Sequence, residues 1–440
     1  MEFQPVKGMR DLLPDEYKKF KRVIRVVRQL FELYNYQEVS MPVVEPFELL
    51  AAKSGEEIKE TMYVFEDKAG RRLALRPEMT ASIARLYITH FMLATKKPLR
   101  LAYIGACYRY DNPQYGRYRE FRQAGFEIIG SGYPEADAEI LTVCDNLMTK
   151  LGIGEFQLKI GHVGILRSIL EQEGLGESIQ DKVFSLIDGD KVDEAFKLLK
   201  ANKLQESCIK TIEDLMQLKG KDVHEIIEQA PSVVGAYSKA QDAIQNLKEI
   251  LTLYMSSEDV DHLFLDLGFA RGLEYYTGMI FEIFIPGISI AVGGGGRYDK
   301  LIENFHGQPT SAVGCAPGID RIVLAMTEKK IFDEDKEKFR EKIMIVCIDE
   351  QMLVESLKIA DTLRQNNFPT EFGIGRKKLK KALTFAVAKK TRYVIIVGPD
   401  EIIKSELTVR DLAENEQIEV PTDKIVDYFK EKIGNLGLQF

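Results

Sequence analysis

The chain has no tryptophan, and only five of its 440 residues are cysteine and five are histidine. The cysteines, at positions 107, 144, 208, 315 and 347, form no CxxC pair and have no histidine set at metal spacing beside them. A disulfide framework and a structural zinc site are therefore excluded, and the thiols read as reduced, mostly buried small side chains, Cys107 standing near the candidate site residue Arg109. His90, His162, His224, His262 and His306 occur in no HExxH or nucleophile arrangement, which removes metalloprotease and Ser/His/Asp hydrolase chemistry. No apolar run reaches the roughly 18 residues needed to cross a bilayer, and the amino-terminal MEFQPVKGMRDLLPDE has no apolar core of signal-peptide type, so a cytoplasmic location without membrane contact is expected. Low-complexity tracts and internal repeats are absent. The formal charge of -8 argues against indiscriminate nucleic-acid binding but leaves room for local basic patches, the densest being RKKLKK at 376–381.

What is present is an ordinary globular mixture, 45% apolar and 29% charged, in a chain long enough for about three domains. Residues 18–34 carry apolar side chains at helical spacing. EVSMPVVE at 38–45 then reads as a strand interrupted by Pro42, which suits an edge or a bulge and a subunit boundary. Residues 61–76 read as a hairpin turning at 68–70, after which Pro77 starts a helix with Glu78 and Thr80 in its first turn. Residues 99–130 predict a second hairpin, and 135–151 an amphipathic helix. From 164 to 261 the pattern is helical with no strong strand signal, an inserted module. Strands return at 263–267, 279–285 and 289–292, followed by four glycines and a helix from Arg297. After a charged stretch at 327–342 the pattern becomes βαβα, a separate α/β domain. The expected division is a catalytic domain at 1–163 and 262–330, a helical insertion at 164–261, a linker at 331–341 and a carboxyl-terminal domain at 342–440.

The richest segment is YRYDNPQYGRYREFRQAGFE at 108–127, which sets Arg109, Arg117, Arg119 and Arg122 around a turn bearing Asn112, Pro113 and Gly116. Guanidinium groups facing one another across a hairpin loop suit a planar or phosphorylated anion, and a nucleotide fits best. Phe121, Gln123, Gly125 and Glu127 share one face of the second strand, so the amide and the carboxylate read as ligand contacts; an exposed charged rim on an ordinary hairpin is the other reading. ARGLEYYTG at 270–278 places Arg271, Glu274, Tyr275 and Tyr276 between two strands, where an Arg can neutralise charge developing at phosphorus, or simply pair with the Glu on a surface loop. AVGGGGRYDKLI matches neither GxGxxG nor GxxxxGK[ST]; its glycines permit close backbone approach or form a tight turn. VGCAPGIDRIVLAM places Arg321 in the first turns of a helix.

In this order, the motifs resemble those of histidyl-tRNA synthetases, class II aminoacyl-tRNA synthetases, along nearly the whole chain. Motif 1 resembles the helix and strand at 18–46, motif 2 the hairpin at 108–127 and motif 3 residues 314–326. The family signature RGLDYY appears as RGLEYY at 271–276, beside GGGGRYD at 293–299. The GHVGI around His162 lacks the second histidine of HIGH, and KMSKS is missing, which sets aside the other synthetase class. The resemblance implies α/β and α+β domains: an antiparallel-sheet catalytic domain with a helical insertion, and an α/β anticodon-binding domain. It implies that histidine and ATP give histidyl-adenylate and pyrophosphate with Mg²⁺, and that histidine then passes to the terminal adenosine of tRNA-His in a homodimer. By position, Arg109 should meet the α-phosphate, Arg117 the outer phosphates, Phe121 the adenine face, Asp111 the adenine side, Thr80 the nucleotide and Arg321 the γ-phosphate side. Arg271 would stabilise the transition state. Glu78, Gln123, Glu127, Tyr275 and Tyr276, with Arg271, would hold histidine, and Arg376, Lys377, Lys378, Lys380 and Lys381 become candidates for tRNA backbone contact, although such a run is also a common solvated face.

Two positions depart from the family pattern: FRxE is YRYD at 108–111, and the Asp of RGLDYY is Glu274. Two other functions compete. One is the synthetase-like regulatory subunit of ATP phosphoribosyltransferase, which usually lacks the anticodon domain and parts of the arginine set; the other is a synthetase-like sensor of uncharged tRNA, which is attached to a kinase domain. This chain keeps the full catalytic set.

Overall fold

The computed structural model describes residues 3–52, 56–93, 96–256, 261–271, 275–332, 340–374 and 378–434. The chain divides into two compact units, residues 1–332 and 333–440.

The first unit is built on a nine-stranded sheet. The predicted hairpin forms its second and third strands: Leu99–Tyr108 and Glu120–Ile129 pair antiparallel over ten residues, from Leu99 opposite Ile129 to Tyr108 opposite Glu120. Ala312–Cys315, Gly293–Arg297, Met279–Phe284 and Gln157–His162 continue the sheet in antiparallel order. Two parallel pairs flank this array, Gln37–Glu38 on Leu99–Tyr108 and Leu263–Asp266 on Gln157–His162. The strand leading into the insertion and the strand leaving it are thus neighbours, so a long excursion between them leaves the sheet continuous. That excursion is helical from Val163–Gln172 to Ser238–Met255, apart from a two-residue strand, Lys219–Gly220, on Leu263–Asp266 that the sequence did not signal.

The apolar stripe of the amino-terminal helix Pro14–Leu33 (Phe20, Val23, Val27, Leu30, Phe31) is buried. On the hairpin, Ala124, Phe126 and Ile128 point into the same core. Phe31 and Tyr36 meet Phe126 edge-on, with centroids 5.0 and 5.3 Å away. This packing fixes the sheet face opposite to the one carrying Gln123 and Glu127.

Three local expectations are corrected. Residues 289–292 are not a strand; the strand is Gly293–Arg297, the glycines themselves, and the following helix is Leu301–Asn304. Its neighbours explain why glycine wins over strand propensity: a Cβ on Gly295 would lie 2.2 Å from the Gly314 carbonyl oxygen, and one on Gly296 would lie 2.5 Å from that of Met279. The helix after Pro77 starts only at Thr80, because Glu78 caps it from outside. The segment around Pro42 is two short strands, Gln37–Glu38 and Val44–Pro46, in different sheets, the second completing a three-stranded sheet with Val64–Glu66 and Arg72–Leu75.

In the second unit, strands Thr370–Phe372, Arg340–Cys347 and Thr391–Val397 run parallel, as the βαβα pattern implies. An antiparallel pair, Glu406–Asp411 and Glu416–Pro421, extends the sheet. Helices Leu353–Gln365 and Leu379–Ala388 lie where the pattern puts them. Most of the expected 331–341 linker lies outside the described residues.

Candidate active site

One pocket on the nine-stranded sheet gathers nearly every residue singled out by the sequence. Glu78, Thr80, Arg109, Asp111, Arg117, Phe121, Gln123, Glu127, Arg271, Tyr275, Tyr276 and Arg321 all line it.

Its deep end is built around Glu127, which is 1% exposed. Oε1 accepts from the Tyr103 hydroxyl at 2.9 Å and Oε2 from the Tyr298 hydroxyl at 2.5 Å. Burial pushes the carboxyl up to about 8, against the pull of these two hydroxyls. Glycines make the room. A Cβ on Gly125 would lie 2.0 Å from the Tyr103 ring, and one on Gly314 would lie 1.6 Å from Glu127 Oε2. Tyr275 and Tyr276 stack at a tilt, centroids 4.7 Å apart. Glu78 is buried and turned to the start of Thr80–His90, where Oε2 accepts from the Thr80 amide at 2.7 Å and Oε1 from that of Ala81 at 3.0 Å. A helix cap, this carboxylate is also aimed from a fixed position at the pocket.

Cations gather at the outer end. Arg109 Nε donates to the Pro77 carbonyl at 2.9 Å, leaving the rest of its guanidinium 5.5 Å from the centre of the Phe121 ring. Arg321 Nη1 donates to the Ala291 carbonyl at 2.8 Å. Burial, with Arg109 and Arg117 close by, lowers the Arg321 guanidinium to about 10. Cations crowded around a buried guanidinium in this way suit an anion between them. Arg271 bridges the two ends. Its Nη2 lies 3.3 Å from Glu282 Oε1, its guanidinium 5.7 Å from the Tyr276 ring, and a Cβ on Gly294 would come within 2.4 Å of Nη1. The glycine strand therefore serves as a flat bed for Arg271 and Tyr276, neither a tight turn nor a phosphate loop.

Two domains of similarity decide the family. Residues 8–322 match the histidyl-tRNA synthetase family model, and residues 342–432 match the anticodon binding domain. A histidine–tRNA ligase of Methanocaldococcus jannaschii is 40% identical over 97% of this chain and 99% of its own length. One from Sulfurisphaera tokodaii is 36% identical over 98% of this chain and all of its own. The crystal structure of histidyl-tRNA synthetase from Nostoc sp. PCC 7120 superposes with a TM-score of 0.78 over 98% of this chain and the whole of that chain, at 22% identity. The chain belongs to the histidyl-tRNA synthetase family. Its sheet and carboxyl-terminal α/β unit are the class II catalytic and anticodon-binding folds.

Other residues singled out by the sequence sort as follows. Arg119, grouped with the loop cations, does not line the pocket: it is buried, donates to the carbonyls of Asp111 and Lys7, and lies 3.7 Å over the Tyr110 ring. Cys107 is the buried thiol expected near the site: burial pushes it up to about 12, and its Sγ donates to Gln123 Oε1 at 3.2 Å. Glu274, Arg376 and Lys377 lie outside the described residues; Lys378, Lys380 and Lys381 are exposed at the start of Leu379–Ala388. His162 is buried and held neutral, lowered to about 4 by burial, with Nε2 3.3 Å from Asn246 Oδ1. The sequence reading missed Tyr103, Tyr298, Glu282 and Asp320. Tyr298 stands two residues after the last of the four glycines, and Gly125 in mid-strand signalled a large cross-strand partner, which is Tyr103.

Proposed function

We propose that this pocket joins histidine to ATP and then to tRNA, so that the chain acts as a histidine–tRNA ligase. The observation that carries the reading is the polarity of a single pocket: a buried carboxyl between two phenols at one end, and guanidinium groups pressed together at the other. Glu127 offers the imidazole a hydrogen-bonding partner that leaves polar groups unpaired beside any other side chain of that size. Glu78 takes the α-amino group. The histidine carboxylate oxygen then attacks the α-phosphorus, the bond from that phosphorus to the bridging oxygen breaks, and pyrophosphate leaves. Arg109 and Arg271 offset the charge gathering at the α-phosphate, and Arg117 and Arg321 hold the outer phosphates. Phe121 supplies a face for adenine, with Asp111 at its side; Thr80 and Gln123 complete the contacts.

ATP enters as its magnesium complex. Asp111 and Glu282, acids that line the pocket beside the arginines, would hold the Mg²⁺ that ATP brings, and the ion would offset phosphate charge there. The carboxyl-terminal unit binds tRNA-His, with Lys378, Lys380 and Lys381 as phosphate contacts, and catalytic halves at 1–163 and 262–330, an insertion at 164–261 and a linker at 331–341 belong to the same proposal. A homodimer accounts for Val43, Val44, Val64 and Phe65, exposed on and beside the small three-stranded sheet. No described helix is long and apolar enough to cross a membrane, and the cytoplasm suits the substrates. The regulatory-subunit alternative gains nothing from a pocket that retains every phosphate-facing arginine.

Histidine-dependent exchange of pyrophosphate into ATP tests the proposal. Exchange with histidine alone among the amino acids, lost in Arg271→Ala, is expected. Histidine binding without exchange would overturn it.

A further inference from the structure

The outer end of the pocket is assembled from two elements far apart in sequence, the loop at 109–119 and the start of helix Ile319–Glu328. A third segment joins them. From the amino-terminal stretch, the Gly8 carbonyl accepts from the Arg119 amide at 2.9 Å and the Lys7 carbonyl from Arg119 Nη1 at 3.3 Å. Gly8 has φ +84°, and a Cβ there would lie 2.7 Å from Arg119 Cγ, so both backbone and space demand glycine. Two residues on, the Arg10 guanidinium lies 3.6 Å over the Tyr118 ring on the loop, while its Nη2 donates to Asp320 Oδ1 at 2.6 Å on the helix. The other oxygen of Asp320 accepts from the Arg122 amide at 2.6 Å. Asp320 and Tyr118 both line the pocket, and Arg321 follows Asp320 directly.

We propose that Arg10 is a positioning residue for the triphosphate: it fixes the arginine loop to the helix that carries Arg321 and touches no substrate itself. The inference rests on the ATP site proposed above. Its physical basis is that the Asp320 side chain is only 3% exposed, so removing Arg10 strands a buried carboxylate. That carboxylate must then turn to solvent or take a proton, and either change releases the Arg122 amide and loosens Arg321 against the loop. Among the described residues, no hydrogen bond joins the strap at Lys7, Gly8 and Arg10 to Glu127, Tyr275 or Tyr276. Gly8 keeps the strap seated by a separate, steric route.

The test measures Mg-ATP binding by calorimetry, exchange kinetics and histidine affinity in the full chain. Arg10→Met is expected to weaken ATP binding and raise its KM by about 10- to 100-fold, the scale set by displacing positioned groups about an ångström, with histidine affinity within twofold of the parent. Arg10→Lys, which keeps the charge for Asp320 but not the planar stack, is expected to recover part of the loss. Gly8→Ala, which changes no charge, is expected to act in the same direction. Should Arg10→Met fail to fold, Arg10→Lys and Gly8→Ala decide alone. ATP affinity unchanged in the folded variants, or ATP and histidine affinity falling together, would overturn the assignment. Direct ATP binding keeps this result separate from the reaction: a parent protein that binds ATP but exchanges nothing sinks the proposed function and leaves the strap testable.

Discussion

The two ends of the pocket recognise their ligands by opposite physical means. At the Glu127 end the carboxyl and the Tyr103 and Tyr298 phenols are buried and bonded to one another, and Gly125 and Gly314 leave no room for a Cβ beside them. At the arginine end the cations stand on a loop and at a helix start, Arg117 is exposed, and like charges crowd one another. The first end is rigid and discriminates by what it refuses to leave unpaired. The second gains its energy from charge and must be held together by other parts of the chain. An amino acid needs to be told from nineteen others, whereas a triphosphate needs chiefly to be gripped and neutralised.

Substitutions that move one end without the other sharpen this contrast. The largest effect is expected for Glu127→Leu, which removes the acceptor and leaves two phenols unpaired: kcat/KM for histidine in pyrophosphate exchange should fall by about 10⁴-fold, the scale of discrimination at hydrogen-bonding pockets. The KM for ATP should stay within a few-fold. If both collapsed together, the ends would not be independent. Next, Arg321→Met should cost about 10²- to 10³-fold in exchange, as losing one donor to developing charge does, with histidine affinity intact. Added salt should weaken ATP binding at the part-exposed arginine end more than histidine binding at the buried end, a comparison that calorimetry at two ionic strengths decides.

A pH profile probes the deep end alone. Glu127 holds its proton up to about 8 in the folded protein, and free imidazole titrates near 6.5. Between those values one proton is shared between carboxyl and imidazole, and histidine affinity is greatest. Below about 6.5 both partners carry a proton and repel as donors; above about 8 the proton is lost. Histidine affinity is therefore expected to be bell-shaped, with limbs that belong to the pair, and Glu127→Gln should remove the alkaline limb. The same shift carries a sign for stability. The folded carboxyl binds its proton more tightly than an unfolded glutamate, near 4.3, so its contribution is complete below about 4.3 and is lost as pH rises through about 8. Melting temperatures of the parent, relative to Glu127→Gln, should fall across that window.

These two ends were not equally legible in the sequence. Arg109 and Arg117 announced themselves because an arginine-rich turn has few purposes, and Arg321 stood out only through the family resemblance, yet chemistry alone did not separate Arg119, which folds back onto Asp111 and Lys7. That sorting depends on the amino-terminal strap, more than a hundred residues away. Glu127 and Gln123 followed from strand alternation, while Tyr103 and Tyr298 did not, because period-two patterning gives the face of a residue but not its partner across the sheet. The glycine run misled most, since propensity argues against four glycines in a strand. Only the neighbouring backbones and the Arg271 guanidinium show why side chains are excluded there.

The smallest effect asks how much of the deep end's rigidity resides in one bond. Tyr103→Phe keeps the ring that fills the space over Gly125 and removes only the hydroxyl on Glu127 Oε1. Net hydrogen bonds of this kind contribute about 1 kcal/mol, more when the acceptor is charged, so histidine affinity should drop by roughly 5- to 10-fold with ATP binding unchanged. Because that hydroxyl pulls the Glu127 carboxyl down against burial, its loss should move the alkaline limb of the histidine profile to higher pH. Tyr298→Phe should move it further, its bond being the shorter and the stronger influence on the carboxyl. A limb that stays in place in both variants would mean that the tyrosines only fill space, and that the deep end discriminates by shape and not by hydrogen bonding.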